Sequence, residues 1–213
     1  MGSTWVIVVA AGSASRFGRP KQYEPLGGRR VVDWSLAAAR SVASPGGVVL
    51  VVPADRLGDA EPAADVVVAG GATRSGSVRA GLAAVPEDAE AVLVHDGARP
   101  LADAALFARV AAAVAEGADA VVPAVPVTDT LRRRDGGPVD RRDLLAVQTP
   151  QGFGAAALRD AHAREPEATD DVTLVEAAGG KVVVVDGSPQ NLKVTHPADI
   201  VAAEALLAHG GRS

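Results

Sequence analysis

Short runs of β-branched residues recur along the chain, each bounded by Gly, Pro or polar residues. Val6-Ile7-Val8-Val9, Val48-Val49-Leu50-Val51-Val52, Asp65–Ala69, Glu90–Val94, Ala118–Val122 and Lys181–Val185 all have this form. These runs predict strands, and 48–52 and 65–69, apolar at consecutive rather than alternate positions, read as covered on both faces, as in a parallel sheet. Between them, Val31–Arg40, Ala104–Ala115 and Ala155–Ala163 carry apolar residues at helical spacing, seen most plainly in Leu106, Val110 and Val114. The turn Pro45-Gly46-Gly47 closes the first of these helices, and Ala54–Ala64 reads as a polar surface connection. The alternation predicts an α/β fold: a mostly parallel central sheet flanked by helices. It breaks at Pro123–Leu131, where a charge run over 132–142 surrounds Gly136-Gly137 and predicts a hairpin. A last helix follows the polar segment 187–199.

Composition narrows this picture. At 213 residues the chain suits one domain able to bury roughly 70% of its unfolded surface. Hydrophobic residues make up 48% and aromatic ones 3%, so the core has to be built from Val, Leu and Ala. With no Cys there are no disulfides or thiolate metal sites, and a cytoplasmic setting is the default. Met1–Trp5 show no basic export region, and no apolar run reaches the ~18 residues that span a bilayer, so a soluble protein is expected. A net charge of −5 argues against broad nucleic-acid binding. Anions have to be bound by local cations and backbone.

The chemistry begins at the end of the first strand. Ala10-Ala11-Gly12-Ser13-Ala14-Ser15-Arg16-Phe17-Gly18 is a run of small residues whose backbone N–H groups an anion can approach. Arg16 and Lys21 supply the positive charge that a polyphosphate needs. Five residues separate Gly12 from Gly18 and Arg19 follows, which does not fit a P-loop. Ala14 and the following Val51-Val52-Pro53 do not fit the dinucleotide fingerprint either.

Three later segments add candidates. Gly70-Gly71 and the hydroxyls of 73–77 offer a helix cap together with hydrogen bonds to a ligand. His95-Asp96-Gly97-Ala98-Arg99-Pro100 emerges from a strand end, where ligands lie in open α/β sheets. There Asp96 suits a ribose hydroxyl or Mg²⁺, and Arg99 suits a phosphate; a His at such a place often only satisfies local hydrogen bonds. Thr169, ahead of Asp170-Asp171, reads as a helix N-cap.

Taken in order, Ala10-Ala11-Gly12, Arg16, Pro20-Lys21-Gln22-Tyr23, Gly70-Gly71 with Arg74 and Ser77-Val78, His95-Asp96-Gly97-Ala98-Arg99-Pro100, Gln148-Thr149-Pro150-Gln151 and Asn191-Leu192-Lys193-Val194-Thr195 resemble the 2-C-methyl-D-erythritol 4-phosphate cytidylyltransferases, a family of sugar-phosphate nucleotidylyltransferases. The resemblance covers nearly the whole chain. It implies a single Rossmann-like domain over 1–213, with a protruding hairpin arm at about 127–150 through which two copies form a homodimer. It further implies CMP transfer from CTP to the polyol phosphate, releasing pyrophosphate, with Mg²⁺ on the triphosphate and Asp96 as its protein contact.

The same resemblance distributes the roles. Arg16, Lys21, Arg141 and Lys193 are the implied catalytic cations. Ala10, Ala11, Gly12, Ser13, Gly71, Ala72, Ser77, Asp96 and Gly97 are implied to hold the nucleotide, Ala72 through its backbone because an acid can stand there in the family. Arg99, Thr130, Arg141, Thr169 and Lys193 are implied to hold the second substrate, Thr130 and Arg141 acting across the dimer interface. The chain departs from the family pattern at Val9, Ala14 and Ala72, and none of these removes a charged group. A cytidylyltransferase for ribitol 5-phosphate or another polyol phosphate shares the nucleotide half of the pattern. A nucleotide-binding regulatory module without turnover is the alternative of another class, disfavoured by the presence of Arg16, Lys21 and Lys193; a dinucleotide-dependent oxidoreductase is more distant still.

Overall fold

A computed structural model describes residues 2–12, 17–164 and 166–210. The chain opens with strand β1 (Thr4–Val9), followed by a 3₁₀ turn over Lys21–Tyr23 and a small antiparallel pair, β2 (Pro25–Leu26) and β3 (Arg29–Arg30). Helix α1 (Val31–Arg40), β4 (Gly46–Val52), β5 (Val66–Ala69), α2 (Arg74–Ala83), β6 (Ala91–Asp96), α3 (Ala104–Ala115) and β7 (Ala120–Pro126) continue the α/β alternation. A separate hairpin, β8 (Leu131–Arg133) and β9 (Gly136–Val139), interrupts it. The chain then returns through β10 (Leu145–Val147), β11 (Gln151–Gly154), α4 (Ala155–His162), α5 (Asp171–Ala177), β12 (Val182–Asp186) and α6 (Pro197–Gly210).

The main sheet runs in the order β10-β7-β11-β6-β1-β4-β5, with β12 also paired to β7. The pairs β1–β4, β1–β6, β4–β5 and β7–β12 are parallel, and β11 and β10 add antiparallel pairing. Consecutive apolar residues are explained by the two layers they feed. Val6, Val8, Val48 and Leu50 face α1 and α3, while Ile7, Val49 and Val51 face α2, α4 and α5. Each fully buried Val of β4 contributes about 2 kcal/mol of hydrophobic stabilisation, so the central strands alone anchor the fold. A third cluster, of Phe17, Leu26, Val31, Val194 and Ala203, seats α6 beside the opening loop.

Several expectations need correction. The run 65–69 was expected to be covered on both faces, but β5 lies at the sheet edge and all four of its residues are only half-buried. Asp65 stays outside the strand because its carboxylate accepts from Val48 N–H at 2.7 Å and from Arg40 at 2.6 Å. The freestanding hairpin covers 131–139 rather than the whole of 127–150, since 145–147 joins the main sheet against β7. Thr169 is not the cap of α5. Asp170 is, its Oδ1 accepting from Thr173 N–H at 2.9 Å, because the helix starts one residue later and a carboxylate suits its positive end.

Candidate active site

Topology fixes where the site lies. From β1 the chain moves one way, to β4 and then β5, and afterwards crosses back to place β6 on the other side of β1. The strand order therefore reverses at the carboxyl ends of β1 and β6, where α/β sheets bind ligands. The register pairs Val9 with Asp96, so the small-residue loop leaves the sheet beside that carboxylate. A cleft of about 520 Å³ opens there, of a size that suits a nucleotide. A smaller recess of about 180 Å³ adjoins it. Arg74, Asp96 and Lys193 line both and form their junction.

Each side chain is held by a local reason. Lys21 sits in the 3₁₀ turn that follows Pro20, buried at the cleft. The turn's far end is fixed by Tyr23, which lies under Arg56 with 4.0 Å from guanidinium carbon to ring centroid. Arg30 stacks on the same ring at 5.8 Å and ties it to Asp33 and Glu61, each at 2.6 Å. Burial and the nearby Glu61 push the Tyr23 phenol up to about 12.

Lys193 arrives from the other end of the chain. Its neighbour Val194 is buried in the α6 cluster and donates its N–H to Ala98 O at 2.8 Å. Buried Asn191 donates to Gln148 Oε1 and to Thr149 O, tying this segment to the link between β10 and β11. With both flanks fixed, Lys193 Nζ donates to Asp96 Oδ2 at 2.6 Å. Arg74 Nε lies 3.7 Å from the other Asp96 oxygen. Burial alone would raise the Asp96 carboxyl, but Lys193 and Arg74 outweigh it and hold the group well below the usual carboxylate range. Asp96 is thus an anion at any working pH.

The nucleotide-sized half is lined on one side by Ala11, Gly12 and Lys21, and on the other by Gly71, Ala72 and Ser77. Thr73 caps α2, its Oγ1 accepting from Gly76 N–H at 2.9 Å. Ser77 Oγ donates to Thr73 O at 2.9 Å, which leaves the oxygen available as an acceptor. Gly71 has a packing reason to be Gly: a Cβ there would lie 2.8 Å from the Gly76 backbone carbon. Arg99 and Thr169 line the smaller recess. Arg99 Nη1 donates to Asn191 O at 2.7 Å, while its Nε is buried without a hydrogen-bond partner among the described residues. Burial lowers its pKa, which Asp96 opposes.

Other candidates fall outside the cleft. Ala10 and Gly97 lie beneath it, their N–H groups given to Val51 O and Val9 O, so they shape the floor. Thr130 and Arg141 stand exposed near the hairpin, Arg141 donating to Thr128 O. Arg16 and Ser13 lie outside the described residues. Among the described residues, His95 hydrogen-bonds to protein groups alone: the Thr149 hydroxyl donates to Nδ1 at 3.1 Å and Nε2–H donates to Arg99 O at 3.3 Å.

Sequence reasoning assigned no role to Arg74, Thr149 or Asp171. Thr149 Oγ1 accepts from Asp96 N–H at 3.0 Å and so positions the end of β6. Arg74 Nη1 donates to buried Asp171 at 2.7 Å. The one signal available was the place of Arg74 between Gly70-Gly71 and Ser77, within a segment already read as ligand-facing.

A doubly wound sheet whose switch point opens on a cleft and adjoining recess lined by Lys21, Arg74, Arg99 and Lys193, with the ionised Asp96 at their junction, defines an α/β nucleotidyltransferase. The family profile described as IspD, 2-C-methyl-D-erythritol 4-phosphate cytidylyltransferase, matches residues 4–209, and the chain belongs to that family. The 2-C-methyl-D-erythritol 4-phosphate cytidylyltransferase of Prochlorococcus marinus is 47% identical over 95% of this chain and 97% of its own. The crystal structure of the enzyme of that name from Thermus thermophilus superposes with a TM-score of 0.80 at 41% identity, covering 97% of this chain and 98% of its own. A bifunctional IspD/IspF enzyme of Clavibacter michiganensis is also 47% identical over 95% of this chain. The chain spans only about half the length of such bifunctional relatives, 54% in that case and 57% for the one from Solidesulfovibrio magneticus.

Proposed function

We propose that the chain transfers CMP from CTP to 2-C-methyl-D-erythritol 4-phosphate, giving 4-diphosphocytidyl-2-C-methyl-D-erythritol and pyrophosphate. The observation that carries this reading is the junction: two recesses of unequal size share Arg74, Asp96 and Lys193. CTP occupies the larger recess and the polyol phosphate the smaller, so that the monoester oxygen meets the α-phosphorus where they join. That oxygen is already anionic near neutral pH, and no general base is demanded. The obstacle is repulsion: at an effective dielectric near 20 a like-charge pair at 4 Å costs about 4 kcal/mol. Lys21 and Arg16 stabilise charge on the α-phosphate and the leaving pyrophosphate, while Lys193 and Arg99 hold the incoming phosphate.

Ala11 and Gly12 face the nucleotide through backbone, Gly71, Ala72 and Ser77 meet the base, and Ser13 is assigned to the nucleotide by its place in the motif alone. Ala10 and Gly97 support them from below, and Thr169 completes the smaller recess. The carboxylates at the cleft are Asp96 and Asp170, and among the described residues no group of three or more His, Asp or Glu side chains could hold a metal. That donor set fits a Mg²⁺ carried mainly by the triphosphate, with Asp96 as its protein contact. When bound, the ion supplies charge neutralisation across the phosphates.

The second-substrate site is completed by a second copy of the chain. Thr130 and Arg141 are exposed on and beside the hairpin, and Leu144, Leu145 and Val147 next to them are exposed apolar residues, which suits an arm that buries itself against a partner. No helix among the described residues is long and apolar enough to cross a membrane, and dependence on free CTP and Mg²⁺ suits a cytoplasmic setting.

The direct test is pyrophosphate release from CTP and Mg²⁺ against a panel of polyol phosphates. Release with 2-C-methyl-D-erythritol 4-phosphate at least tenfold faster than with ribitol 5-phosphate is expected. The reverse preference would transfer the assignment to the other polyol, and no release with any acceptor would leave a binding module.

A further inference from the structure

From Arg74 at the junction, a chain of polar groups runs back to residues that line neither recess. Arg74, at the start of α2, stands between two carboxylates. Its Nη1 donates to Asp171 Oδ2 at 2.7 Å, and its Nε approaches Asp96 Oδ1 only to 3.7 Å. Asp171, the first residue of α5, is fully buried and lines neither recess. Its second oxygen accepts from His162 Nε2–H at 3.0 Å, and His162 is the buried last residue of α4. A buried carboxylate needs charged or hydrogen-bonding partners on both oxygens, and Asp171 has one of each.

The arrangement decides how two cations share Asp96. Lys193 holds Oδ2 at 2.6 Å, leaving Arg74 beside Oδ1 without a close bond. A guanidinium released from Asp171 would be free to close on Asp96 as a forked pair, the geometry Arg prefers with carboxylates. It would then compete with Lys193 for that carboxylate and turn its donors away from any phosphate at the junction.

We infer that Asp171, itself oriented by His162, is a positioning residue that holds Arg74 off Asp96 and so keeps both Arg74 and Lys193 directed at the reacting phosphates. Its effect is exerted wholly through Arg74, from outside the cleft. Asp171→Asn tests this cleanly. Asn retains a hydrogen bond to each neighbour once His162 changes tautomer, but it removes the charge that competes with Asp96 for the guanidinium.

The experiment is a double-mutant cycle of Asp171→Asn and Arg74→Gln, read in kcat, in KM for each substrate and in melting temperature. Asp171→Asn alone should lower kcat by about tenfold or more, with KM for CTP changed less than about threefold. In the Arg74→Gln background the same change should cost less than about twofold. Equal losses in both backgrounds, or a fall in melting temperature with kcat unchanged, would reduce Asp171 to a structural role and overturn the inference. Should Asp171→Asn not fold, His162→Gln enters the same cycle with the same expectation, since it loosens the carboxylate from the far side. Because this role rests on the cytidylyltransferase reading, wild-type turnover separates the two failures: an inactive wild type sinks that reading, whereas an active wild type with additive variants sinks only the role of Asp171.

Discussion

His95 and Asp96 are chain neighbours that the fold uses in opposite ways. Asp96 turns to the cleft and is kept ionised by two cations; His95 turns into the core against Phe107, 5.0 Å between ring centroids, and is kept neutral. Burial, with Arg99 and Lys193 nearby, pushes the imidazole down to about 4, despite the opposing charge of Asp96. In the unfolded chain the same ring takes up its proton near 6.5, so between pH 6.5 and 4 the unfolded state binds more protons than the folded one. Stability is therefore fully present above pH 6.5 and is lost as pH falls through that window. The expected loss is about 2 kcal/mol from pH 7 to pH 5, measured by urea unfolding at each pH. The carboxylates whose pKa values are held low, among them Asp33, Asp65 and Asp96, lose their contributions only below the ordinary carboxylate range, outside this window. His95→Gln should flatten the slope between pH 7 and 5, and an unchanged slope would show that other groups produce it. Legibility at this scale depended on local pattern, not on sequence distance. Asp96 and Lys193 stand 97 positions apart yet were both readable, since each lies in a segment of recognisable pattern. Arg74 and Asp171 are also 97 apart, and their pairing was not readable, because burial of a lone acid after a helix cap leaves no mark in local pattern.

At the scale of elements, the hydrophobic runs foretold the buried strands well, because a strand covered on both faces has to be apolar at every position. The exposure of the edge strand β5 and the antiparallel strands β10 and β11 escaped. β5 copies the composition of a central strand, β10 is only three residues long, and β11 is four residues with Gly at alternate positions, so neither shows a period. Helix α2 was equally hard to read, since Arg74-Ser75-Gly76-Ser77 and Gly81 make a poor helix by propensity. The structure explains Gly81: a Cβ there would lie 2.5 Å from Ile7 Cγ2 and 3.0 Å from Val51 Cγ2, so α2 lies directly against β1 and β4. This close seat is what brings the cap Thr73 and the adjoining Arg74 to the cleft. Gly81→Ala should destabilise the protein by about 1–3 kcal/mol through overpacking, in spite of the roughly 1 kcal/mol gain in helix propensity. Removing the obstructing methyl should compensate, so that Gly81→Ala with Ile7→Ala costs less than the sum of the two single changes in urea unfolding. Simple additivity would show that α2 can shift away from the sheet without penalty.

At the scale of the whole molecule, of the implied catalytic cations among the described residues, Lys21 and Lys193 line the cleft, whereas Arg141 stands exposed and outside both recesses. If Arg141 acts in catalysis, it acts in the cleft of another copy, and each working site then draws Lys21 from one protomer and Arg141 from its partner. Mixing variants tests this by counting. A dimer of Lys21→Ala chains lacks Lys21 in both sites, and a dimer of Arg141→Ala chains lacks Arg141 in both. In a hybrid, one site loses both groups, while the other combines the intact Lys21 of one chain with the intact Arg141 of the other. Random exchange of equal amounts makes half the dimers hybrid, so about a quarter of all sites are whole, and kcat per protomer should recover to about a quarter of the wild-type value. Differently tagged chains, co-purified after mixing, establish that exchange has taken place. Recovery under those conditions supports a site shared between protomers; its absence, with hybrids demonstrated, would confine catalysis to residues of a single chain and leave Arg141 as a solvated arm residue.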